Sequence, residues 1–173
     1  DPKNKKLQGI VLCPTRELAI QVADEIRSLA KYLHGIKVLP IYGGQEIVKQ
    51  IRSLKSGTQI IIGTPGRVMD HMRRKTIKMD HVHTVVLDEA DEMLSMGFQK
   101  ELDEILSFLP LVEHKWLFSA TIPHGIQEII SRHLSPDAVR IEVKKEDIVN
   151  KNISHQYLVC DESEKLEALL LFL

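Results

Sequence analysis

Two adjacent carboxylates, Asp88 and Glu89, follow directly on the apolar run Val85-Val86-Leu87. A short apolar run reads as a buried strand, and acids at its end stand where a parallel sheet presents its ligands. This is the Walker B arrangement, in which the first acid, Asp88, holds Mg²⁺ through water and the second, Glu89, polarises the water that attacks a γ-phosphate. The same pair suits a plainer role, because negative side chains are favourable at the start of a helix. The strand pattern alone leaves both readings open. Other chemistries find less support. Eight histidines invite a metal site, yet His81 and His83 merely flank Val82, and no H-E-x-x-H or Cys/His cluster occurs. Cys13 and Cys160 have no C-x-x-C spacing and read as reduced structural thiols.

The elements that must position the acid pair are legible as a recurring pattern. Runs bounded by turn residues predict strands at Gly9 to Cys13, Lys37 to Tyr42, Ile60 to Gly63, Thr84 to Leu87, Trp116 to Ser119 and Val139 to Val143. Between them lie helical patterns, the clearest being Leu18, Val22, Ile26, Leu29 and Leu33, three or four apart. A βαβα order predicts an α/β fold: a parallel sheet with helices on both faces and ligands outside the carboxyl ends of the strands. From Lys144 to Asn152 the chain turns charged, as an exposed connector does. Ile153 to Cys160 then reads as a further strand, and Glu162 to Leu173 as a helix with Leu166, Leu169, Leu170 and Leu173 on one side.

Bulk properties narrow the classes. The 173 residues, 43% of them apolar, suffice for one core. Twenty-three basic and 24 acidic residues give a net charge of −1, so affinity for nucleic acid has to come from local placement of Arg and Lys. No apolar stretch approaches the roughly 20 residues that span a bilayer, and the start does not read as a signal peptide, so a cytoplasmic location is expected and no membrane contact.

The acid pair belongs to one of five motifs that occur in order: Pro14-Thr15-Arg16-Glu17-Leu18, Gly43-Gly44, Thr64-Pro65-Gly66-Arg67, Asp88-Glu89-Ala90-Asp91, and Ser119-Ala120-Thr121, which begins 28 residues after Asp91. In these the chain resembles the DEAD-box ATP-dependent RNA helicases, over essentially its whole length. The resemblance implies a RecA-like fold, ATP and Mg²⁺ as cofactors, and single-stranded or locally duplex RNA as partner, held by its backbone without regard to sequence. It implies that Pro14, Thr15, Arg16, Gly43, Gly44, Thr64, Pro65, Gly66 and Arg67 grip the RNA. Physically, Thr15, Thr64 and amides near Gly44 and Gly66 can donate to phosphate oxygens, with Arg16 and Arg67 adding charge-assisted bonds. Each also has a structural alternative: a glycine turn, a proline-led helix start, a surface charge. Base stacking is a poor source of affinity here, with one Trp, three Tyr and four Phe. In the family the Ser-Ala-Thr motif links the nucleotide site to RNA binding, and a hydroxyl of Ser119 or Thr121 could bond the Asp91 carboxylate; capping a helix is their other role. The spelling of the acid and Ser-Ala-Thr motifs disfavours a DNA-directed translocase.

A phosphate-binding loop requires Gly-Lys followed by Ser or Thr, and none of the nine glycines here precedes a lysine. By the resemblance that loop lies upstream of Pro14, so the chain is expected to be an incomplete first RecA-like domain over residues 1–143, a linker over 144–152, and the opening strand and helix of a second domain over 153–173. A nucleotide-independent RNA-binding or partner-binding module is the alternative. The missing loop's strand should flank Trp116 to Ser119, with Val139 to Val143 beyond it. Its absence predicts that something fills the gap: a separate peptide, a rearranged Val139 to Val143 strand, or a neighbouring copy.

Overall fold

The computed structural model describes residues 1–109, 112–143 and 157–171. Its first compact unit runs from Asp1 to Ala138. Five strands, β1 (Gly9–Leu12), β2 (Val38–Ile41), β3 (Ile60–Gly63), β4 (Thr84–Leu87) and β5 (His114–Leu117), are joined through helices, because parallel strands need crossovers. These are α1 (Arg16–Leu29), α2 (Ile47–Lys55), α3 (Pro65–Arg73), α4 (Ala90–Ser95), α5 (Gln99–Ser107) and, after β5, α6 (His124–His133). All pairings are parallel, in the order β2-β3-β1-β4-β5. Pro40, which cannot donate to a ladder, lies in the outermost strand β2, where proline is tolerated.

The strand side chains alternate between two apolar layers. Ile10, Leu12, Ile61, Val85 and Leu87 pack with Val68 and Met69 of α3, Met93 of α4, Leu102 and Ile105 of α5, and Ile126 and Ile129 of α6. Val11, Cys13 and Ile62 face the other way, against Ala19 and Ala23 of α1. Helices thus cover both faces, as expected. Ile10, Leu12, Ile61 and Leu87 are at most 2% exposed, so truncating any one to Ala would cost about 2–5 kcal/mol.

The register is level. Leu12 stands opposite both Gly63 and Leu87, Ile41 opposite Gly63, and Leu117 opposite Leu87. All five strands therefore stop on one line, and the loops that leave them emerge along the same edge.

Some expected elements differ. Helix α1 ends at Leu29, with Leu29 and Leu33 exposed; small Ala19 and Ala23 make the closest contact with the sheet, flanked by half-buried Leu18, Val22 and Ile26. The fifth strand begins and ends two residues before the expected Trp116 to Ser119, because its ladder with β4 is fixed at Thr84 opposite His114. Val139 to Val143 is not a strand. Val139, Ile141 and Val143 are 87%, 89% and 82% exposed, and a β-branched run without a partner strand has nothing to pair with or pack on. The rearranged strand expected to fill the gap beside β5 is thus overturned: among the described residues β5 pairs with β4 alone.

The second unit begins at Val139. The connector expected at 144–152 lies outside the described residues, as does the expected strand up to residue 156, and Tyr157 to Cys160 are not in a strand. A 3₁₀ turn at Glu162–Glu164 leads into a short helix, α7 (Lys165–Leu170), on which Leu166, Leu169 and Leu170 are exposed. No described helix is long and apolar enough to cross a membrane.

Candidate functional site

The level strand ends bring every expected site residue to one edge of the sheet. In chain order these are Pro14, Thr15 and Arg16 after β1; Gly43 and Gly44 after β2; Thr64 to Arg67 after β3; Asp88 and Glu89 after β4, with Asp91 in the first turn of α4; and Ser119 and Thr121 after β5. Across the edge, the β2 and β3 loops come first, then β1, then the acids, then the Ser-Ala-Thr loop.

The β1 loop is short because Thr15 already caps α1, its hydroxyl oxygen accepting from the Leu18 N–H at 3.2 Å. That hydroxyl still has its own proton to donate. Pro14 is buried and directs the backbone without offering a surface; Arg16 is exposed and paired with Glu17 at 2.9 Å, an ion pair of little worth in water. After β3, Thr64 precedes a helix with proline in its first turn, and its side chain makes no capping bond. The hydroxyl of Thr64 and the N–H of Gly66 therefore remain without acceptors among the described residues, whereas Pro65 is buried. Gly63 is needed for close approach, since a Cβ there would lie 2.6 Å from a Val68 methyl carbon and 2.9 Å from the Ile41 carbonyl.

The loop after β2 has little packing of its own. Gly44 has φ +79, and a Cβ at Gly43 or Gly44 would meet nothing within 4 Å. What holds the loop is a polar network behind it. Gln50 of α2, 2% exposed, donates to the Tyr42 carbonyl at 3.1 Å and to Gln45 Oε1 at 2.8 Å. Its own Oε1 accepts from Arg67 Nη1 at 3.2 Å and lies 3.0 Å from His71 Nε2. Arg67 Nη1 also donates to the Gln45 carbonyl at 2.9 Å, and His71 Nδ1 lies 2.7 Å from the Thr76 hydroxyl. His71 is fully buried; burial first, then the Arg67 charge, lowers its pKa, so the ring is neutral. Gln50 and His71 were not among the expected site residues. A signal existed: Gln50 stands three residues after Ile47 and four before Leu54, on the apolar stripe of α2.

Asp88 and Glu89 complete β4. The Asp88 N–H extends the ladder to the Leu12 carbonyl at 2.9 Å. Glu89 starts α4 in the left-handed region, φ 51 and ψ 51, a conformation costly for a residue with a Cβ. Neither carboxylate accepts a hydrogen bond from another described residue, so their oxygens, hard donors suited to Mg²⁺ or to water, stay available. Burial, and after it the negative charge of Asp88 and Glu89, pushes the Cys13 thiol up to about 12, which leaves it a packed, unreactive S–H.

Asp91, in the first turn of α4, joins this helix to the β5 loop. Its Oδ2 accepts from the Thr121 N–H at 3.0 Å and the Thr121 hydroxyl at 2.7 Å. Its own N–H donates to Ser119 Oγ at 3.2 Å, and the Ser119 hydroxyl donates to the Thr121 carbonyl at 2.6 Å. Burial works to raise the Asp91 pKa, but the hydrogen bonds to its carboxylate, those from Thr121 foremost, outweigh it and hold the carboxyl below its ordinary value.

A family model described as DEAD/DEAH box helicase matches residues 1–129. Over 169 residues the chain is 46% identical to the DEAD-box ATP-dependent RNA helicase CshA of Bacillus subtilis, a match covering 98% of this chain and 34% of that protein. It is 46% identical to the CshA of Geobacillus kaustophilus, covering 96% of this chain and 35% of the relative. The chain thus spans about a third of the length of these curated relatives. The crystal structure of a DEAD box protein from Methanococcus jannaschii superposes with a TM-score of 0.74 at 42% identity, covering 98% of this chain and 45% of that one. A hypothetical ATP-dependent RNA helicase from Sulfolobus tokodaii gives 0.72 at 35% identity, covering 75% and 39%. The fold is that of the RecA-like domain of such proteins.

Proposed function

This chain belongs to the DEAD/DEAH box helicase family, and from that premise we propose that it is the water-activating, RNA-gripping part of an ATP-dependent RNA helicase. The observation that carries the reading is the level edge, on which the acid pair and the three proposed RNA loops stand side by side. Glu89, exposed and without a protein partner among the described residues, takes a proton from the attacking water as it adds in line to the γ-phosphorus while the bond to the β–γ bridging oxygen breaks and ADP leaves. Asp88 would hold Mg²⁺ through water; when bound, the ion neutralises charge on the phosphates. Thr15, Thr64 and the amides of Gly44 and Gly66 donate to phosphate oxygens of RNA, Arg16 and Arg67 supply positive charge, and Pro14, Pro65 and Gly43 shape the loops around it. Such contacts read no sequence. Asp91, bonded to Thr121, transmits position between the acid pair and the Ser-Ala-Thr loop.

One observation favours a second reading for this chain by itself, that of a nucleotide-independent RNA-binding or partner-binding module: no glycine in it precedes a lysine, so it has no phosphate-binding loop. Phosphate release by the full-length protein separates the two. The helicase reading expects release stimulated by single-stranded RNA and less by DNA of the same sequence. Release indifferent to RNA, from a protein that still binds it, would leave the binding module.

A further inference from the structure

The exposed Gly43-Gly44 loop owes its position to hydrogen bonds rather than packing, and those bonds converge on Arg67 and Gln50. Gln50 uses its full capacity: both amide hydrogens go to the loop, at the Tyr42 carbonyl and Gln45 Oε1, and its oxygen takes Arg67 Nη1 and His71 Nε2. Since that oxygen can only accept, His71 must carry its proton on Nε2, which leaves Nδ1 an acceptor 2.7 Å from the Thr76 hydroxyl, whose one proton it shares with the His71 carbonyl at 3.0 Å. Arg67 Nη1 then spends one hydrogen on Gln50 and the other on the Gln45 carbonyl at 2.9 Å. The loop is pinned at both ends, and the chain of bonds runs from it through α2 and α3 to Thr76.

We infer that Arg67 acts on RNA at one remove: with Gln50 and His71 it is a positioning residue that sets the Gly43–Gln45 loop, and it is not itself a phosphate ligand. The inference rests on the proposal that this loop grips the RNA backbone, and it changes what Arg67 contributes to that grip. Nη1 is divided between two protein oxygens and would have to release the loop to turn on a phosphate; Nε and Nη2 stand outside the network, and a phosphate contact from either is the outcome that the salt slope below detects. Both oxygens are held by the one nitrogen Nη1, a hydrogen to each; the Lys side chain is one atom shorter, so its ammonium stops short of that position, although it serves well as a point charge beside a phosphate.

The test is anisotropy of a fluorescein-labelled oligouridylate titrated with the full-length protein over a series of KCl concentrations. Arg67→Lys, Arg67→Ala, Gln50→Leu and the double variant Arg67→Ala/Gln50→Leu are compared with wild type. A positioning role expects Arg67→Lys and Arg67→Ala to lose affinity alike, by about tenfold, with the salt slope of wild type, because what is lost is the grip of neutral loop amides and not a cation that neutralises a phosphate. Gln50→Leu should match them, and the double variant should lose no more than either single one. A direct phosphate contact would instead leave Arg67→Lys near wild type and reduce the slope of Arg67→Ala by about one unit; that result overturns the inference. Arg67 is only half-buried, so its two variants decide the matter even if Gln50→Leu does not fold. A wild-type protein without salt-dependent RNA affinity would remove the RNA reading and the inference together, whereas binding with Arg67→Lys intact removes the inference alone.

Discussion

Glu89 stands in the left-handed region at the very point where the proposed chemistry needs a carboxylate, and the cost of holding it there is measurable. Replacing Glu89 by Ala deletes the carboxylate and its attraction to the start of α4 but keeps a Cβ at φ 51; replacing it by Gly deletes the same groups and the Cβ as well. The left-handed conformation costs a residue with a Cβ about 1–2 kcal/mol. Against that, glycine is freer than alanine in the unfolded chain, a disadvantage of about 0.4–1 kcal/mol. Glu89 is exposed and its side chain has no hydrogen-bond partner among the described residues, so no contact is lost in one variant and kept in the other. The difference favours Gly by about 0.5–1 kcal/mol, or about 3 °C in melting temperature for a unit of this size. Glycine already ranks above alanine at a helix N-cap, which is where Glu89 stands, so the strain widens that order. Thermal melts followed by far-ultraviolet circular dichroism measure it directly. If the Gly variant melts at or below the Ala variant, no strain is stored at Glu89. Neither variant should retain RNA-stimulated hydrolysis.

Glu89→Gln in the full-length protein keeps size and backbone strain, and should lower turnover by roughly 10² or more with ATP and RNA affinity little changed; steady-state kinetics that lose ATP binding but keep turnover would contradict the assigned role. Thr121→Val removes the 2.7 Å bond to Asp91 and should cost about 1 kcal/mol at neutral pH. Because the Asp91 pKa is depressed in the folded state, this stabilisation is present above the ordinary carboxyl value and fades as pH falls through the folded one, so urea midpoints should converge with wild type in acid; a penalty unchanged at low pH would exclude the charged bond. The 173-residue chain on its own should hydrolyse ATP no faster than buffer, since nothing in it cradles the β- and γ-phosphates; RNA-stimulated phosphate release from pure chain would refute this. Arg16→Ala should reduce the salt slope of RNA binding by about one unit, and an unchanged slope would make Arg16 structural.

The sheet was largely legible in the sequence because its central strands are continuous apolar runs closed by turn residues: Ile60–Gly63 and Thr84–Leu87 have the bounds their patterns predict. The site was legible to the extent that motifs come directly after strands, since a parallel sheet with level register gathers the loops at its carboxyl edge. Three things were not legible. The extent of β5 is set by its partner β4 and not by its own residues, which is why the pattern at Trp116 to Ser119 reads two positions late. A glutamate gives no hint of a positive φ; the conformation of Glu89 is imposed by the turn between β4 and α4. The third is the network behind the glycine loop. It joins residues as far apart as Tyr42 and Thr76, and a buried Gln or His in sequence looks like any other polar residue until the fold brings its partners to it.

The row of side chains that crosses the sheet from Pro40 through Ile62, Val11 and Val86 ends at Trp116, on the face that α1 covers over β1 and β3. At β5 that cover runs out, leaving Trp116 55% exposed and stacked on Phe118 with ring centres 6.5 Å apart. As the chain's one tryptophan, it makes the intrinsic fluorescence of the molecule a local optical readout of this strand. An indole in water emits to the red, and one covered by another surface emits to the blue. Whatever comes to lie along β5, be it more of the same polypeptide or another copy joined strand to strand, should announce itself as a blue shift and as slower quenching by iodide. A shift that grows with protein concentration would mark self-association, whereas one independent of concentration would mark a strand supplied from within the same molecule.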